Sequence, residues 1–479
     1  MRCKHCGSSC EDNLPNELTT DEAFELCNQL ALLGLKYVNL SGGEPLLRMD
    51  WDKIAARLKS VGVQPHIISN GWFVDDAIAK RVYEAGIGIF AVSLDGLRDT
   101  HDYMRCKGSF DNVMKALRNL RANGVKTAVI TTINRRNLPE LMKMKDIIRE
   151  QGVTTWQLQI ATPMGSFHGH KEELLIASEQ IDEIVDFAYK VKDEIKVCLG
   201  DCVGYYSRKE HEVRKVFFEN ENAVWNGCPA GKYSFGILHN GDITSCNSIR
   251  DTAFIEGNIR VKSLKEIWEY GFEWSRKMSR EELTGLCQNC QYVDCCLGGC
   301  PNMRLCLSGT IKSENTYCMY HNMITSKFNE LYAADISFGN FHHIIEKESE
   351  NRNHVLIIKL IEAYLQDNKG LSKTQTLYLL SNLHYAYFQV KRYEKAKEVC
   401  ERVLGIERGE AYALHGLAIS HYYLGDSKSA FEILSILKHM ELSKLKETIR
   451  DLFIAAQLAC KEEDLKMLNS LATEYEIKM

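Results

Sequence analysis

The feature that most constrains this chain is a set of regularly spaced cysteines between residues 228 and 318. Cys228 is followed by Gly241 and then Cys246, and a later group has the spacing Cys-x2-Cys-x5-Cys-x3-Cys before one last cysteine. The members of this later group are Cys287, Cys290, Cys296, Cys300 and Cys318. Regular apolar periodicity fades over this stretch, so it has too little apolar material for a core of its own. The pattern predicts a domain organised by metal.

Composition narrows the class of protein. The chain of 479 residues is too long for one hydrophobic core and predicts about three domains. A net charge of -5 without a dense basic stretch gives no attraction to phosphate backbones, so nucleic acid is not an expected partner. No apolar run reaches the roughly 18 residues of a membrane span, and the N-terminus does not follow the order of a secretory signal. We expect a cytoplasmic protein without a membrane partner, in which cysteines bind metal instead of forming disulfides.

Residues 17–200 alternate short apolar, β-branched runs with stretches whose apolar residues recur at helical spacing. The candidate strands are Tyr37–Leu40, Pro65–Ser69, Ile89–Leu94, Thr127–Ile133 and Thr155–Ile160. Residues 21–33 and 110–123 are typical of the helices between them. The alternation predicts an α/β fold with a parallel sheet, open or closed into a barrel, whose functional residues lie where strands end.

Polar motifs follow three successive candidate strands. They are Ser41-Gly42-Gly43-Glu44-Pro45, Ser69-Asn70-Gly71 and Ser93-Leu94-Asp95-Gly96. Any one of them alone is typical of a turn. Their repetition at successive strand ends indicates a binding site.

Together with the opening Met-Arg-Cys-Lys-His-Cys, these motifs resemble those of the radical S-adenosylmethionine (SAM) superfamily. In that family three cysteines spaced Cys-x3-Cys-x2-Cys bind a [4Fe-4S] cluster whose fourth iron binds SAM. Cys3 and Cys6 resemble the second and third of them, with His5 in a slot that an aromatic residue often fills. We expect the first cysteine and the first barrel strand upstream of Met1. The rival assignment makes Cys10 the third ligand, which reverses the spacing, and the Cys-x2-Cys pair alone also fits a zinc knuckle.

The resemblance implies a partial (βα)6 radical SAM barrel with its first strand truncated. In the family the Gly-Gly-Glu motif receives the amino group of SAM, and later strand ends contact its ribose and carboxylate or face the substrate. The SAM-binding residues implied here are Gly42, Gly43, Glu44, Ser69, Asn70, Ser93, Asp95, Asn134 and Gln157. Gln159 and Pro163 continue the series, and no catalytic residue is assigned.

The cysteines from residue 228 onward resemble the SPASM domain of radical SAM enzymes, which generally holds two auxiliary iron-sulfur clusters. The resemblance assigns the outer cluster to Cys287, Cys290, Cys296 and Cys318, and the inner cluster to Cys228, Cys246 and Cys300. Some members have a further cysteine where this chain has Ser234, so the inner cluster is left with an open iron, a non-cysteine ligand or only two irons. Cys295 and Cys306 are interpreted as bystander thiols, and Cys202 as a plain apolar residue. Structural zinc is the alternative to the clusters.

A repeat with a period of 34 residues begins near Leu380. Its equivalent pairs are Leu383 and Leu417, Tyr387 and His421, Ala396 and Ala430, and Cys400 and Leu434. The pattern resembles the tetratricopeptide repeat, whose stacked helix pairs form a surface suited to binding chains, and a generic helical bundle is the alternative. The predicted domains are a radical SAM core over 1–205, a SPASM domain over 225–325 and an all-α repeat tail over 345–479.

The resemblance implies an enzyme that reductively cleaves SAM to a 5'-deoxyadenosyl radical, with an electron donor such as flavodoxin or ferredoxin. Enzymes with this domain pair commonly modify peptides or sulfatases. Sulfatase-maturing members carry a basic aspartate where this chain has Asn247, which cannot take a proton. We therefore expect a peptide or protein substrate, bound with help from the repeats. The alternatives are a small-molecule substrate and a non-catalytic iron-sulfur scaffold.

Overall fold

The computed structural model describes residues 1–10, 14–200 and 202–477. These residues form two compact units. The first consists of Met1–Gln288 and Tyr292–Asn322, and the second of Asn289–Gln291 and Met323–Met479. The division into three domains drawn from the sequence stays a prediction.

The first unit is built on six parallel strands that pair in chain order and curl into a half-barrel. The strands are β1 (Tyr37–Leu40), β2 (Gln64–Ser69), β3 (Phe90–Ser93), β4 (Thr127–Ile133), β5 (Thr155–Ile160) and β6 (Lys196–Leu199). Parallel neighbours in chain order bring every strand end to the same edge of the sheet. The predicted α/β fold is confirmed.

Helices cover the convex side of this sheet. They are α1 (Thr20–Leu32), α2 (Trp51–Ser60), α3 (Asp76–Glu84), α4 (Arg98–Met104), α5 (Ser109–Ala122), α6 (Leu141–Glu150), α7 (Lys171–Leu174), α8 (Ile181–Val191) and α9 (Arg208–Phe218). Alternate strand residues such as Phe90, Val129 and Trp156 pack into the core beneath them. The opposite, concave face carries a small apolar cluster of Ile68, Ala91, Ala128 and Ile130. The concave face is therefore the side of the sheet that is left for a ligand.

The cysteine-rich part of the first unit contains little regular structure. A three-stranded antiparallel sheet is formed by β7 (Gly236–Ile237), β8 (Asp242–Thr244) and β9 (Ile255–Asn258). Short helices follow, namely α10 (Leu264–Tyr270), α11 (Glu273–Arg276), α12 (Gly285–Asn289), α13 (Val293–Cys296) and α14 (Pro301–Ser308). Helices of four to eight residues cannot bury much apolar surface. The observation agrees with the expectation of a segment that depends on bound metal.

The C-terminal part of the chain is entirely helical among its described residues. Its helices are α15 (Met319–Leu331), α16 (Phe338–Glu350), α17 (His354–Asp367), α18 (Lys373–Gln389), α19 (Tyr393–Ile406), α20 (Ala411–Tyr423), α21 (Ser427–Met440), α22 (Leu442–Leu458) and α23 (Glu462–Glu474). Equivalent residues of the 34-residue repeat occupy equivalent helices. Ala396 lies in the first turn of α19 and Ala430 in the first turn of α21, and both side chains are buried. A helical-repeat tail fits this arrangement, and its membership in the tetratricopeptide class stays a prediction.

None of the helices that the structure describes is long and apolar enough to cross a membrane.

Candidate functional site

The N-terminal loop that carries the first cysteines is tied to the ends of two neighbouring elements. The Lys4 N–H donates to the Met104 carbonyl at 2.9 Å, and the Ser166 N–H donates to the Cys6 carbonyl at 2.9 Å. At Gly165, which has a φ of +54°, an added Cβ would lie 2.5 Å from the Cys6 carbonyl oxygen. Only glycine lets the chain after β5 approach the loop this closely.

Three thiols of this loop lie close together. The side chains of Cys6 and Cys10 interact, and this contact lowers the pKa of Cys6 to about 5 although burial acts in the opposite direction. Burial raises the pKa of Cys3, and the sulfur of Cys6 acts on it in the same direction. Cys10 also borders the Gly-Gly-Glu motif, because an added Cβ on Gly43 would lie 3.2 Å from the Cys10 Cβ. The structure thus brings Cys10 beside Cys6, and both assignments of the third ligand remain predictions.

The carboxylate of Glu44 joins two strand ends. It accepts hydrogen bonds from the Ser69 hydroxyl and from the Asn70 N–H, each at 2.8 Å. Burial raises the pKa of Glu44, and these two donors oppose that shift. Gly42 precedes it with a φ of +136°, where a side chain would be strained. Four of the predicted SAM-binding residues therefore meet at one place beside the thiol loop.

Asp95, at the end of the next strand, is fully buried and connects the sheet to the thiol loop. Its carboxylate accepts from Arg105 Nε at 2.6 Å and lies 3.2 Å from His5 Nε2. The Thr132 N–H at the end of β4 donates to its other oxygen at 2.9 Å. The positive charge of Arg105 holds the pKa of Asp95 well below its usual range although burial acts in the opposite direction. This carboxylate has no exposed surface, so its role here is to position Arg105 and His5.

Arg105 lies in this site, although the sequence analysis did not identify it. It follows α4, it is almost fully buried, and its Nη1 lies 3.9 Å from the Cys3 sulfur. A buried cation beside a thiolate stabilises that thiolate. The only signal in the sequence was a lone arginine shortly after Ser93-Leu94-Asp95-Gly96.

Two glutamines of β5 lie on the concave face. The Gln157 Nε2 donates to the Gln159 Oε1, and the Gln159 Nε2 donates to the Thr132 hydroxyl, each at 3.2 Å. Asn134, by contrast, is fully buried, and its Oδ1 accepts from the backbone of the following turn. Gln157 is therefore placed to meet a ligand, while Asn134 shapes the loop after β4. Ser93 ends β3 and is half-buried.

The cysteines assigned to the inner cluster come together although they are far apart in sequence. The thiols of Cys228 and Cys246 act electrostatically on Cys300, whose own pKa is raised well above its ordinary value by burial. The Cys300 N–H donates to the hydroxyl of Tyr205 at 3.2 Å, and this tyrosine is fully buried. Thiols that lie close together in a buried place can serve as a set of thiolate ligands for a metal. These residues fit an iron-sulfur cluster.

The cysteines assigned to the outer cluster are also buried or half-buried. Burial raises the pKa of Cys296 to about 11, and the sulfur of Cys287 adds to the shift. The Asn315 N–H donates to the Cys287 sulfur at 3.3 Å, a contact that favours a thiolate. Cys318 is half-buried and acts electrostatically on Tyr205. Cys290, half-buried, follows directly after α12.

A buried arginine lies among both sets of thiols. Arg304 is 2% exposed, and its Nη2 donates to the Leu297 carbonyl at 3.0 Å. Cys287, Cys296 and Cys300 are its electrostatic neighbours, and burial lowers its pKa. One cation therefore faces members of the inner and the outer set, where it offsets the negative charge of thiolate-bound clusters.

A thiol loop beside a Gly-Gly-Glu turn at the edge of a curled parallel sheet defines the class of enzymes that bind SAM at an iron-sulfur cluster. Comparison with protein families agrees. The model of the radical SAM superfamily matches residues 1–148, and that of an iron-sulfur cluster-binding domain, SPASM, matches residues 228–291. The chain carries a radical SAM domain and a SPASM domain, and it is a radical SAM enzyme. Its cofactors are a [4Fe-4S] cluster with SAM, and auxiliary iron-sulfur clusters.

Similar proteins differ in what they act on. An AdoMet-dependent heme synthase of Methanosarcina barkeri is 28% identical over 67% of this chain and 93% of its own length. The mycofactocin maturase MftC of Mycolicibacterium smegmatis is 28% identical over 63% of this chain and 75% of its own. The structure of Streptococcus suis SuiB bound to its precursor peptide SuiA matches with a TM-score of 0.52 at 15% identity, over 66% of this chain and 72% of that one. This last likeness shows the fold.

Proposed function

We propose that this radical SAM enzyme modifies a peptide or protein. The observation that carries the proposal is the neutral, amide-rich lining of the concave face of the sheet. The same proposal divides the chain into a SAM core, a SPASM domain and a repeat tail. It also includes an electron donor that resembles flavodoxin or ferredoxin.

The strand residues on the concave face alternate with those that pack under the helices. They are Tyr37, Asn39, Gln64, His66, Ile68, Ala91, Ser93, Ala128, Ile130, Thr132, Thr155, Gln157, Gln159, Lys196 and Cys198. The one basic residue among them in the described strands is Lys196, which begins β6 at the edge of the sheet opposite the Gly-Gly-Glu turn and pairs with Glu219. Burial lowers the pKa of His66 and favours its neutral form. Carboxylate-rich ligands are bound by arginine and lysine, whereas amide and hydroxyl groups pair with the amides of a peptide.

When bound, a [4Fe-4S] cluster with SAM supplies a 5'-deoxyadenosyl radical that abstracts a hydrogen atom from an unactivated carbon. Cys3 and Cys6 would hold that cluster, with Cys10 a third thiol beside them. Glu44, fixed by Ser69 and Asn70, would orient the SAM amino group. The small residues Ala91 and Ala128 leave room on the concave face, and their apolar surface keeps water from the reacting carbon.

Two further observations support a peptide substrate. The helical tail offers the kind of stacked helix pairs that bind extended chains in repeat proteins. A relative of 28% identity is named as the maturase of mycofactocin, and the SuiB fold, which this chain shares, accepts a precursor peptide in its own complex.

Iron-porphyrin chemistry is the second candidate. It is favoured by the coverage of the heme synthase of Methanosarcina barkeri, 93% of whose length aligns with this chain. A porphyrin substrate with several carboxylates would need cationic partners, and the one cation among the concave strand residues named above, Lys196, already pairs with Glu219.

The test compares the two substrates directly. Protein reconstituted without oxygen is mixed with dithionite, SAM and either the small-peptide fraction of the source cells or iron-coproporphyrin III, and 5'-deoxyadenosine is measured. We expect the peptide fraction, and not the porphyrin, to increase deoxyadenosine above the substrate-free rate. The Gln157→Leu variant should lose this stimulation. Stimulation by the porphyrin alone would overturn the proposal.

A further inference from the structure

The family pattern assigns three thiols to the inner auxiliary cluster. A fourth thiol, that of Cys202, acts electrostatically on one of them, Cys300. Cys202 lies outside the matched SPASM segment, 26 positions before Cys228 in the printed sequence. It follows β6, the last strand of the half-barrel, in the turn where the Val203 N–H donates to the Gly200 carbonyl at 2.9 Å. The strand end therefore brings this thiol to the edge of the sheet where the other site residues lie.

The position of Cys202 is fixed from the barrel side. The Ile160 N–H at the end of β5 donates to the Cys202 sulfur at 3.3 Å. At Gly200 an added Cβ would lie 3.1 Å from the Leu158 carbonyl oxygen, so β5 and the chain after β6 approach closely. Backbone N–H donors to sulfur are typical of thiolates that bind iron-sulfur clusters, where they also adjust the potential.

The same turn contacts Cys300 from the other side. Tyr205, three residues after Cys202, accepts the Cys300 N–H at 3.2 Å. An added Cβ on Gly299 would lie 2.9 Å from the Tyr205 ring, so the two segments are in close contact. Cys202 and Cys300 both pack against the hydrophobic core of the half-barrel.

Three thiols act electrostatically on Cys300, namely those of Cys202, Cys228 and Cys246. The SPASM resemblance assigns only Cys228 and Cys246 as its companions. Ser234, which occupies the position of the further cysteine in some members, lies in a tight turn where its carbonyl accepts the Gly231 N–H at 2.7 Å. An alcohol is a poor ligand for iron compared with a thiolate.

We propose that Cys202 is the fourth ligand of the inner auxiliary cluster, completing a four-thiolate set with Cys228, Cys246 and Cys300. A closed set of four thiolates leaves no iron open to a substrate. The inner cluster then acts by carrying electrons, and the substrate does not bind to its iron. This inference rests on the SPASM domain and does not depend on whether the substrate is a peptide.

The test compares three single variants in a background without the N-terminal cluster, Cys3→Ala with Cys6→Ala, so that only auxiliary clusters contribute signals. Cys202→Ser should match Cys228→Ser, with a loss of iron per chain and an altered electron paramagnetic resonance signal of the reduced protein. Cys295→Ser removes an exposed thiol of the same domain and should retain the iron content and signal of the background. A Cys202→Ser protein that matches Cys295→Ser would overturn the proposal.

A second measurement uses the wild-type protein, so it tests the ligation by Cys202 even if the Cys202→Ser variant does not fold. Cyanide binds an open iron and shifts its resonance. In the wild-type protein saturated with SAM, added cyanide should leave the signals of the auxiliary clusters unchanged. A cyanide-dependent shift of the inner-cluster signal would show an open iron and contradict four-thiolate ligation.

Discussion

Arg105 donates from Nε to the Asp95 carboxylate at 2.6 Å, and both side chains are almost completely buried. The same guanidinium reaches to within 3.9 Å of the Cys3 sulfur. The pair therefore connects the end of β3 to the thiol loop.

Asp95→Asn should destabilise the protein strongly, because it leaves the buried Arg105 without a counter-charge. We expect a loss of about 3–5 kcal/mol in the free energy of unfolding, measured by urea denaturation without oxygen. The control is Asp111→Asn, which breaks the exposed pair with Arg98 and should leave the free energy of unfolding almost unchanged. Equal effects of the two substitutions would show that the Asp95 pair is not structural.

Glu44→Gln should weaken SAM binding. The amide replaces one acceptor oxygen by a donor, so it cannot accept from both the Ser69 hydroxyl and the Asn70 N–H, and its negative charge is lost. Hydrogen bonds to charged groups contribute about 1.5–3 kcal/mol, which predicts about a 10-fold to 100-fold weaker affinity in a calorimetric titration with SAM. Glu84→Gln, on the exposed surface of α3, is the matched control. An affinity of Glu44→Gln equal to that of the control would argue against the assigned role.

Arg304→Met should make the auxiliary clusters harder to reduce. The substitution removes a buried positive charge next to Cys287, Cys296 and Cys300 while keeping an unbranched side chain. Loss of about 1.4 kcal/mol of favourable interaction with the added electron corresponds to about 60 mV in a one-electron potential. We expect a shift of this order toward negative potential in a redox titration followed by electron paramagnetic resonance. An unchanged potential at full iron content would contradict it.

His101 predicts a pH dependence of stability. This fully buried imidazole accepts the Asp95 N–H at 2.9 Å, and burial lowers its pKa to about 4. Because the folded-state pKa lies below the unfolded value of about 6.5, stability is full above pH 6.5 and falls as the pH decreases toward 4. The loss should be about 1 kcal/mol at pH 5.5.

The matched variant for this dependence is His101→Asn, which keeps an acceptor for the Asp95 N–H and does not titrate. Thermal unfolding at pH 7.5 and pH 5.5 should show a larger decrease for the wild type than for the variant. Parallel decreases in the two proteins would assign the acid sensitivity to other groups, including the clusters.

Gly416→Ala should destabilise the repeat tail. An added Cβ would lie 2.4 Å from His384 Cε1 and 2.9 Å from the Cys400 sulfur, so neighbouring helices must move apart. Overpacking of this kind costs about 1–3 kcal/mol. Gly405→Ala, in α19 with no atom within 4 Å of the added Cβ, should instead be neutral or stabilise by up to about 1 kcal/mol. If Gly416→Ala and Gly405→Ala shift the thermal unfolding temperature in the same direction, the close packing of the helices around Gly416 is contradicted.

Much of the fold was predictable because periodicity is a local property. Strands β1, β4 and β5 have the predicted bounds, β2 begins one residue before its predicted start, and β3 is one residue shorter than predicted at each end. Strand β6 was not predicted, since its four residues Lys196–Leu199 include one charged residue and are too few for a clear alternation. Its existence depends on pairing with β5, which no local pattern encodes.

The site was predictable where its residues belong to a motif with a recognisable spacing. The Gly-Gly-Glu turn is a contiguous motif and the SPASM cysteines keep a family spacing, and the structure brings Glu44 to Ser69 and Cys300 to Cys246. Arg105 and Cys202 belong to no such motif. Their proximity to cysteines far along the chain arises from the folding of strands and turns, so spacing alone could not find them.

In the proposed function, a radical generated from SAM abstracts a hydrogen atom from a peptide. The most direct measurement uses the small-peptide fraction of cells grown in deuterated medium as the substrate, with mass spectrometry of the 5'-deoxyadenosine formed by the reconstituted protein. Deuterium in deoxyadenosine, absent when the same fraction is first digested to free amino acids, is the result we predict. Deoxyadenosine without deuterium, together with deuterium transfer from labelled iron-coproporphyrin III, would contradict the account.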